Sequence, residues 1–350
     1  MQGIVLALNI GSTSTKVGLL REGEPLISET LPAQDAYDDQ IQIRQRKEVI
    51  ETFIRMYGID LHAVDIIVSR GGLMQPGPSG IYRINRAMCD DLISYRYGRH
   101  VSSLGPLIAF AMARSLGVDA VVVDPPSTDE FHELARFSGI PCITRVSAFH
   151  VLNQKAAARK ASGDLKKRYH EINLVVVHMG GGITIGAHGK GRVIDATHGL
   201  SEGPFTPERA GGLPIRELLM YAQGHAEKDM EALLSGSSGL FAYLGTKDAS
   251  VVEEKIRTGD GFAESVYRAM AYQISKDVGA MATVLKGDIQ AVVLTGGLAH
   301  SDMLVSWIRE MVGFIAPLIV YPGEDEIAVL LDSGLRILRG EEAVFPYPPL

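Results

Sequence analysis

Ile4-Val-Leu-Ala-Leu-Asn9-Ile-Gly11-Ser-Thr-Ser-Thr-Lys16-Val-Gly-Leu19 opens the chain, and a related pattern returns at Leu174-Val-Val-Val-His178-Met-Gly180-Gly-Gly-Ile-Thr-Ile-Gly186. In each copy a short apolar run reads as a buried strand, a polar residue and a glycine-rich turn follow, and a second β-rich run resumes at once. Backbone N–H groups and small hydroxyls in such a turn can face a phosphate, and glycine permits close approach. Two copies predict two similar domains with a nucleotide in the cleft between them.

Outward from the first copy, Lys16 to Leu20 and Pro25 to Thr30 read as strands separated by the tight turn Arg21-Glu-Gly-Glu24. Ile41 to Tyr57 has helical spacing, Val64 to Val68 is a buried strand, Ser103 to Leu116 a helix and Ala120 to Val123 another buried strand. The order is βββαβαβ. Gly71 to Tyr82, with four Gly and two Pro, reads as a loop at a strand end, where α/β proteins tend to bind ligands. The second copy starts the same order again: strands at Leu174 to His178, Ile183 to Ala187 and Val193 to Asp195, a helical region from Pro214 to Lys286, a strand at Ala291 to Thr295, a helix from Ser301 to Val312 and a strand at Leu318 to Tyr321. The stretch from Asp129 to Glu171 reads as mixed but mostly helical, its cluster Lys155, Arg159, Lys160, Lys166, Lys167 and Arg168 as a solvated helical face, with an anion-binding role as the minor alternative. A last helix, Glu326 to Arg339, is expected to pack back across the hinge. This divides the chain into 1–128 plus 327–350 as one domain and 129–326 as the other.

Composition sets the bounds. At 350 residues, two domains are the natural reading. A hydrophobic fraction of 46% and charged residues at 21% are ordinary globular usage. The net charge of −7 argues against nonspecific nucleic-acid binding, which draws on a basic patch. Cys89 and Cys142 give neither a disulfide framework nor metal-ligand spacing. No basic n-region or cleavage site precedes the first strand, and the apolar stretch near Leu104 to Ala113 is too short to span a bilayer, so a cytoplasmic location without membrane association is expected.

Several nucleotide and hydrolase signatures are excluded. No Gly-x-x-x-x-Gly-Lys-Ser/Thr sequence occurs, and no Gly-x-Gly-x-x-Gly follows a strand. Gly199-Leu-Ser201-Glu-Gly203 has the form of a nucleophile elbow, but Pro204 and Pro207 disfavour the helix that must follow one. His188, His198, His225 and His300 lack partners at metal-ligand spacing.

A third turn, Val292-Val-Leu-Thr295-Gly296-Gly297-Leu-Ala-His300-Ser301, ends a strand and opens a helix. With the first two it resembles the phosphate and adenosine motifs of the acetate and sugar kinase, Hsp70 and actin superfamily. The resemblance narrows to the acetate kinase and butyrate kinase family at the His178 turn, at Ile194-Asp195-Ala-Thr-His198 and at Glu202-Gly-Pro-Phe-Thr-Pro-Glu-Arg209-Ala-Gly-Gly-Leu-Pro214, the last most similar to butyrate kinases. It implies an α/β fold of two duplicated ribonuclease H-like domains and an enzyme forming an acyl phosphate and ADP from ATP and a short-chain fatty acid, butyrate first. Propionate, acetate or isobutyrate kinases are the alternatives, and a noncatalytic Hsp70- or actin-like module is the alternative of another class. A homodimer or larger homo-oligomer is also implied.

The resemblance carries over onto individual residues. Arg70, Asp124, His150 and Arg209 are the implied catalytic residues, with His150 on the shortest match. Asn9, Gly11, Ser12, Ser14, His178, Gly180, Gly181, Gly182, Gly296 and Gly297 are implied to meet ATP. Mg²⁺ would be held by Asp124 and by a carboxylate of Glu324-Asp325-Glu326, Glu324 and Asp325 being taken first although spacing does not choose. Each also has an ordinary structural reading: a turn former for Asp124, a helix cap for His150, surface ion pairs for the arginines. Where acetate kinases have Asn this chain has Gly181, and Gly71-Gly72 replaces larger apolar residues after Arg70. Missing side chains there would leave room for a longer acyl tail, with graded use of neighbouring lengths because a methylene is worth only about 1–3 kcal/mol.

Overall fold

A computed structural model of the chain describes residues 3–11, 14–32 and 38–348, so the candidate Ser12 lies outside the described residues. The chain divides into two compact units, Met1–Asp129 with Asp325–Leu350 and Glu130–Glu324.

The first unit opens with β1 (Ile4–Ile10), β2 (Ser14–Arg21) and β3 (Ile27–Pro32), paired antiparallel in sequence. Every residue of β1 is buried, as a strand covered on both faces requires. After α1 (Asp39–Met56), capped by the Asp38 carboxylate, β4 (Ile66–Ser69) returns parallel to β1. Next come β5 (Ile81–Arg83), α2 (Arg86–Ile93), α3 (Leu104–Leu116) and β6 (Asp119–Val123), which is parallel to β4. The pair β5 and α2 interrupts the expected order: the stretch read as loop to Tyr82 ends in a strand antiparallel to β6. Three strand residues and one eight-residue helix hold too few periods for a pattern to register.

The second unit contains α4 (Val151–Asp164), β7 (Asn173–Met179), β8 (Ile183–Gly189) and β9 (Arg192–Ala196). The long helical region resolves into α5 (Ile215–Ala222), α6 (Glu227–Gly236), α7 (Gly239–Leu244), α8 (Ala249–Arg257) and α9 (Gly261–Val284). Then follow β10 (Ala291–Gly296), α10 (Asp302–Val312) and β11 (Leu318–Pro322). The chain finally re-enters the first unit as α11 (Glu326–Leu338) and β12 (Val344–Phe345).

The sheets run β12-β5-β6-β4-β1-β2-β3 and β11-β10-β7-β8-β9. Without β12 and β5 the first has the order of the second, three antiparallel strands and two parallel ones laid beside the first. This is the duplicated α/β architecture that the repeated turn predicts. Each sheet is covered twice. In the first, Leu6 and Leu8 pack with Ile108 and Met112 of α3, while Val5 and Val68, on the opposite face, meet α11 at Gly334. In the second, Val175 and Val177 join Tyr267 and Ile274 of α9, whereas Leu174 and Val176 join Ala157 and Ala161 of α4.

Two expectations need correction. The stretch 129–171 is helical only in α4 and short 3-10 turns such as Glu133–Arg136; Ser138, Gly139 and Pro141 favour turns instead. Lys155 is not part of a solvated face but 1% exposed, its Nζ donating to Glu130 Oε2 at 2.7 Å and to the Gly191 carbonyl at 3.1 Å. Burying Lys155 requires that partner, and Glu130 in turn accepts the Val193 N–H. Among the described residues no helix is long and apolar enough to cross a membrane.

Candidate functional site

In the first unit the parallel strands β1, β4 and β6 deliver Asn9, Arg70 and Asp124 to one edge of the sheet, the carboxyl ends of the strands. Asn9 is 5% exposed, and its Nδ2 donates to the Glu326 carboxylate at the start of α11. The other Glu326 oxygen faces Arg70 Nη2 at 3.6 Å. Glu326, one of the three acids that spacing does not separate, therefore sits with Asn9 and Arg70. Asp325 instead caps α11, accepting the Ala328 N–H at 2.9 Å. Asp124 follows β6 with φ +40, a conformation Asp tolerates better than most residues, and is 1% exposed. Behind the first turn lies an unforeseen cation. Arg46 of α1 donates to the carbonyls of Gly11 and Ser14 and to Thr15 Oγ1, at 2.7–3.1 Å. Burial draws its guanidinium below the ordinary arginine value.

The glycines after Arg70 leave no open space. A Cβ on Gly72 would lie 2.5 Å from the Ser103 Cα and Oγ, and one on Gly71 3.1 Å from Pro125. Their small size admits the start of α3 and the Asp124-Pro125 corner. The expectation of extra room for an acyl tail at these positions is thus corrected.

The second unit carries the denser half. His178 is the penultimate residue of β7, and the Gly180–Gly182 turn that follows is closed by a hydrogen bond from Gly180 N–H to the Gly182 carbonyl at 2.9 Å. His150, at the cap of α4 without capping through its side chain, stacks its ring on His178 with centroids 4.1 Å apart. On the far side His178 Nε2 lies 3.4 Å from Glu324 Oε2, which also accepts from Asn153 Nδ2 at 3.2 Å.

Arg209 is held against the same turn by Thr206. The Thr206 hydroxyl donates to the Gly181 carbonyl at 2.6 Å and accepts the N–H groups of Glu208 and Arg209, so the Thr206-Pro-Glu-Arg209 loop is clamped to the glycines. Arg209 Nη1 donates to the Gly199 carbonyl at 2.8 Å, while its buried Nε has no hydrogen-bond partner among the described residues. Burial pulls the guanidinium below its ordinary value and Glu208 pulls it back up. A half-buried cation with a spare, buried Nε donor is prepared for an anion. Gly182 makes the arrangement possible, because a Cβ there would stand 2.4 Å from Arg209 Nη1.

The second and third turns are neighbours, since β7 and β10 are parallel with His178 beside Thr295. Gly296, at φ +95, lies so close to Met179 that a Cβ would meet its carbonyl oxygen at 2.4 Å. A cavity of about 480 Å³ is lined by Gly180, Gly181 and Gly297 together with Glu208, Lys247, His300 and Glu324. Within this unit the structure thus brings together His150, His178, the three glycines and Arg209, with Gly296, Gly297 and Glu324 around them.

Residues 142–313 match the model of the Acetokinase family. That segment contains His150, His178, Gly180–Gly182, Arg209, Gly296 and Gly297, but not Asn9, Arg70, Asp124 or Glu324. Over nearly the whole chain the fold is similar to crystal structures of Porphyromonas gingivalis acetate kinase (19% identity, 96% of this chain and 100% of that one, TM-score 0.77) and Francisella tularensis propionate kinase (17%, 94% and 98%, 0.73). Entamoeba histolytica acetate kinase is also similar (15%, 95% and 98%, 0.75).

Taken each within its own unit, Asp124 of the first and Glu324 of the second are carboxylates, and hard carboxylate oxygens are the donor chemistry Mg²⁺ takes. Among the described residues no group of three or more His, Cys, Asp or Glu is arranged to hold a metal. An ion held by one or two carboxylates plus phosphate oxygens needs no such cage. Sequence reasoning missed Thr206, Arg46 and Asn153. Thr206 alone had a signal, the Thr-Pro pair that starts many tight turns.

Proposed function

We propose that the protein is an ATP-dependent kinase of short-chain carboxylic acids, and in its finer form a butyrate kinase. The observation that carries the reading is the Gly180–Gly182 turn with Arg209 clamped to it and the His150–His178 pair beside it, inside the segment that matches the Acetokinase family. A fatty-acid carboxylate is ionised at neutral pH, so no base is needed to prepare it. The barrier is the meeting of two anions in line, which calls for fixed positive charge and hydrogen-bond donors on the transferring phosphoryl group.

Each of these residues has a part in that task. Arg209, partly desolvated and with a spare Nε, offers a planar fork to phosphoryl or carboxylate oxygens. Arg70 offers a second fork, steadied by Glu326. His150 donates from the cap of α4 and His178 from the end region of β7, and the backbone N–H groups of Gly181 and Gly182 line the phosphate side, the Gly180 N–H closing the turn on the Gly182 carbonyl. Asp124 and Glu324 would hold Mg²⁺, which when bound neutralises phosphate charge. Butyrate is favoured by the Glu202–Pro214 block and no longer by room at Gly71-Gly72.

The test is hydroxamate trapping of acyl phosphate with ATP, Mg²⁺ and straight and branched acids of two to five carbons. The expected result is product with several acids and a maximum at butyrate. An acetate optimum overturns the butyrate form. ATP binding with no hydroxamate from any acid overturns the kinase and supports a noncatalytic nucleotide-binding module.

A further inference from the structure

The sequence Ile183-Thr-Ile-Gly-Ala-His188 of β8 alternates between two buried faces. Ile183, Ile185 and Ala187 enter the core with α9. Thr184, Gly186 and His188 point the other way, and Thr184 and His188 are fully buried. Two buried polar side chains on one strand face need a complete set of hydrogen bonds. They obtain it from Gln154, a residue of α4 with no solvent exposure. Gly186 vacates the space, since a Cβ there would lie 2.3 Å from Gln154 Oε1.

The donors and acceptors in this chain can be assigned in order. Gln154 Nε2 lies 3.0 Å from the Thr184 carbonyl, which only accepts, so the amide nitrogen faces β8 and Oε1 faces His188. Oε1 is 3.0 Å from His188 Nε2, which must therefore carry the proton. Burial holds His188 well below its usual value, so the ring is neutral and Nδ1 accepts from the Tyr169 hydroxyl at 2.7 Å. The same Gln154 Nε2 also donates to Thr184 Oγ1 at 2.9 Å, and the His150 N–H points to that oxygen at 3.4 Å. With its lone pairs facing donors, the Thr184 hydroxyl has its own proton to place. Among the described residues its acceptor is His150 Nδ1, at 2.9 Å.

We propose that Thr184, Gln154 and His188 are positioning residues that fix the tautomer of His150, keeping its proton on Nε2 so that the ring presents a hydrogen-bond donor. Which ring nitrogen carries the proton is set by the bond the other one makes, and here a fully buried chain sets it. Tyr169 anchors the far end. That the donor serves a phosphoryl oxygen rests on the kinase reading; the tautomer does not.

The experiment is a long-range ¹H–¹⁵N correlation spectrum of the full-length protein labelled at histidine, with His150 assigned by its loss in His150→Gln. The expected spectrum has the pyrrole-type nitrogen of His150 at Nε2 and the pyridine-type nitrogen at Nδ1. The proton on Nδ1 would overturn the proposal. Thr184→Val keeps the shape and removes the hydroxyl; it should give a tautomer mixture and lower kcat roughly tenfold with KM for ATP changed less than about twofold. Thr184→Ser should restore both. Thr184→Val with an unchanged spectrum and unchanged kcat also overturns it. If no acid gives acyl phosphate while the spectra behave as stated, the kinase reading fails and the positioning chain stands.

Discussion

Arg209 and Gly182 act as one device: the guanidinium lies where a side chain on the glycine would be, 2.4 Å from the Cβ position. Adding a methyl there moves the far end of a flexible side chain rather than backbone, so stability should change little while the guanidinium leaves its place. Gly182→Ala is expected to lower kcat about 10²-fold, the scale of losing one fixed donor, with a melting temperature near that of the native protein. Arg209→Ala should remove most turnover with the fold intact, and adding Gly182→Ala to it should cost nothing more, because both changes remove the same contact. Steady-state kinetics and thermal melts of the single and double variants check this. Full additivity would show that Gly182 acts by another route. At this scale the candidate residues beside glycines were the legible ones, since Gly180–Gly182 announces a tight turn whatever surrounds it. The clamp made by Thr206, beyond the turn its Thr-Pro pair announces, and the role of Gln154 were not. Their importance lies in partners 25 and 30 residues away in sequence, to which no local pattern points.

Among the elements, β1, β4, β7 and β10 could be read from the chain because strands buried on both faces are continuous apolar runs. β5 and β12 could not, having three and two residues, and 214–286 read as one region because capping breaks such as Asp248 and Asp260 sit inside a sustained helical composition. The longest of those helices, α9, carries a pH-sensitive group. The Asp277 carboxyl is raised to about 6, first by burial and then by the nearby Glu202. A carboxyl raised above its unfolded value adds stability below that value, near pH 4, and the contribution is lost as pH rises through about 6. Solvent reaches the site, so the loss is screened to roughly 1 kcal/mol. Asp277→Asn should therefore melt about 1–2 °C above the native protein at pH 8 and coincide with it at pH 4. A constant difference across that range would assign the effect to packing instead.

For the whole molecule, the doubled architecture was legible because one turn recurs at Asn9 and His178 in the same strand context. Room for a longer acyl tail was not legible at Gly71 and Gly72: those glycines serve the close packing of Ser103 and Pro125. Only neighbours brought in by the fold decide whether a missing side chain is a pocket or a contact.

The first unit is discontinuous, interrupted by the whole of Glu130–Glu324 and completed by α11. During synthesis the second unit is finished before the helix that covers Val5 and Val68 exists. The emerging first sheet waits with one apolar face bare for the time taken to translate nearly two hundred residues, about 10–40 s at ordinary elongation rates.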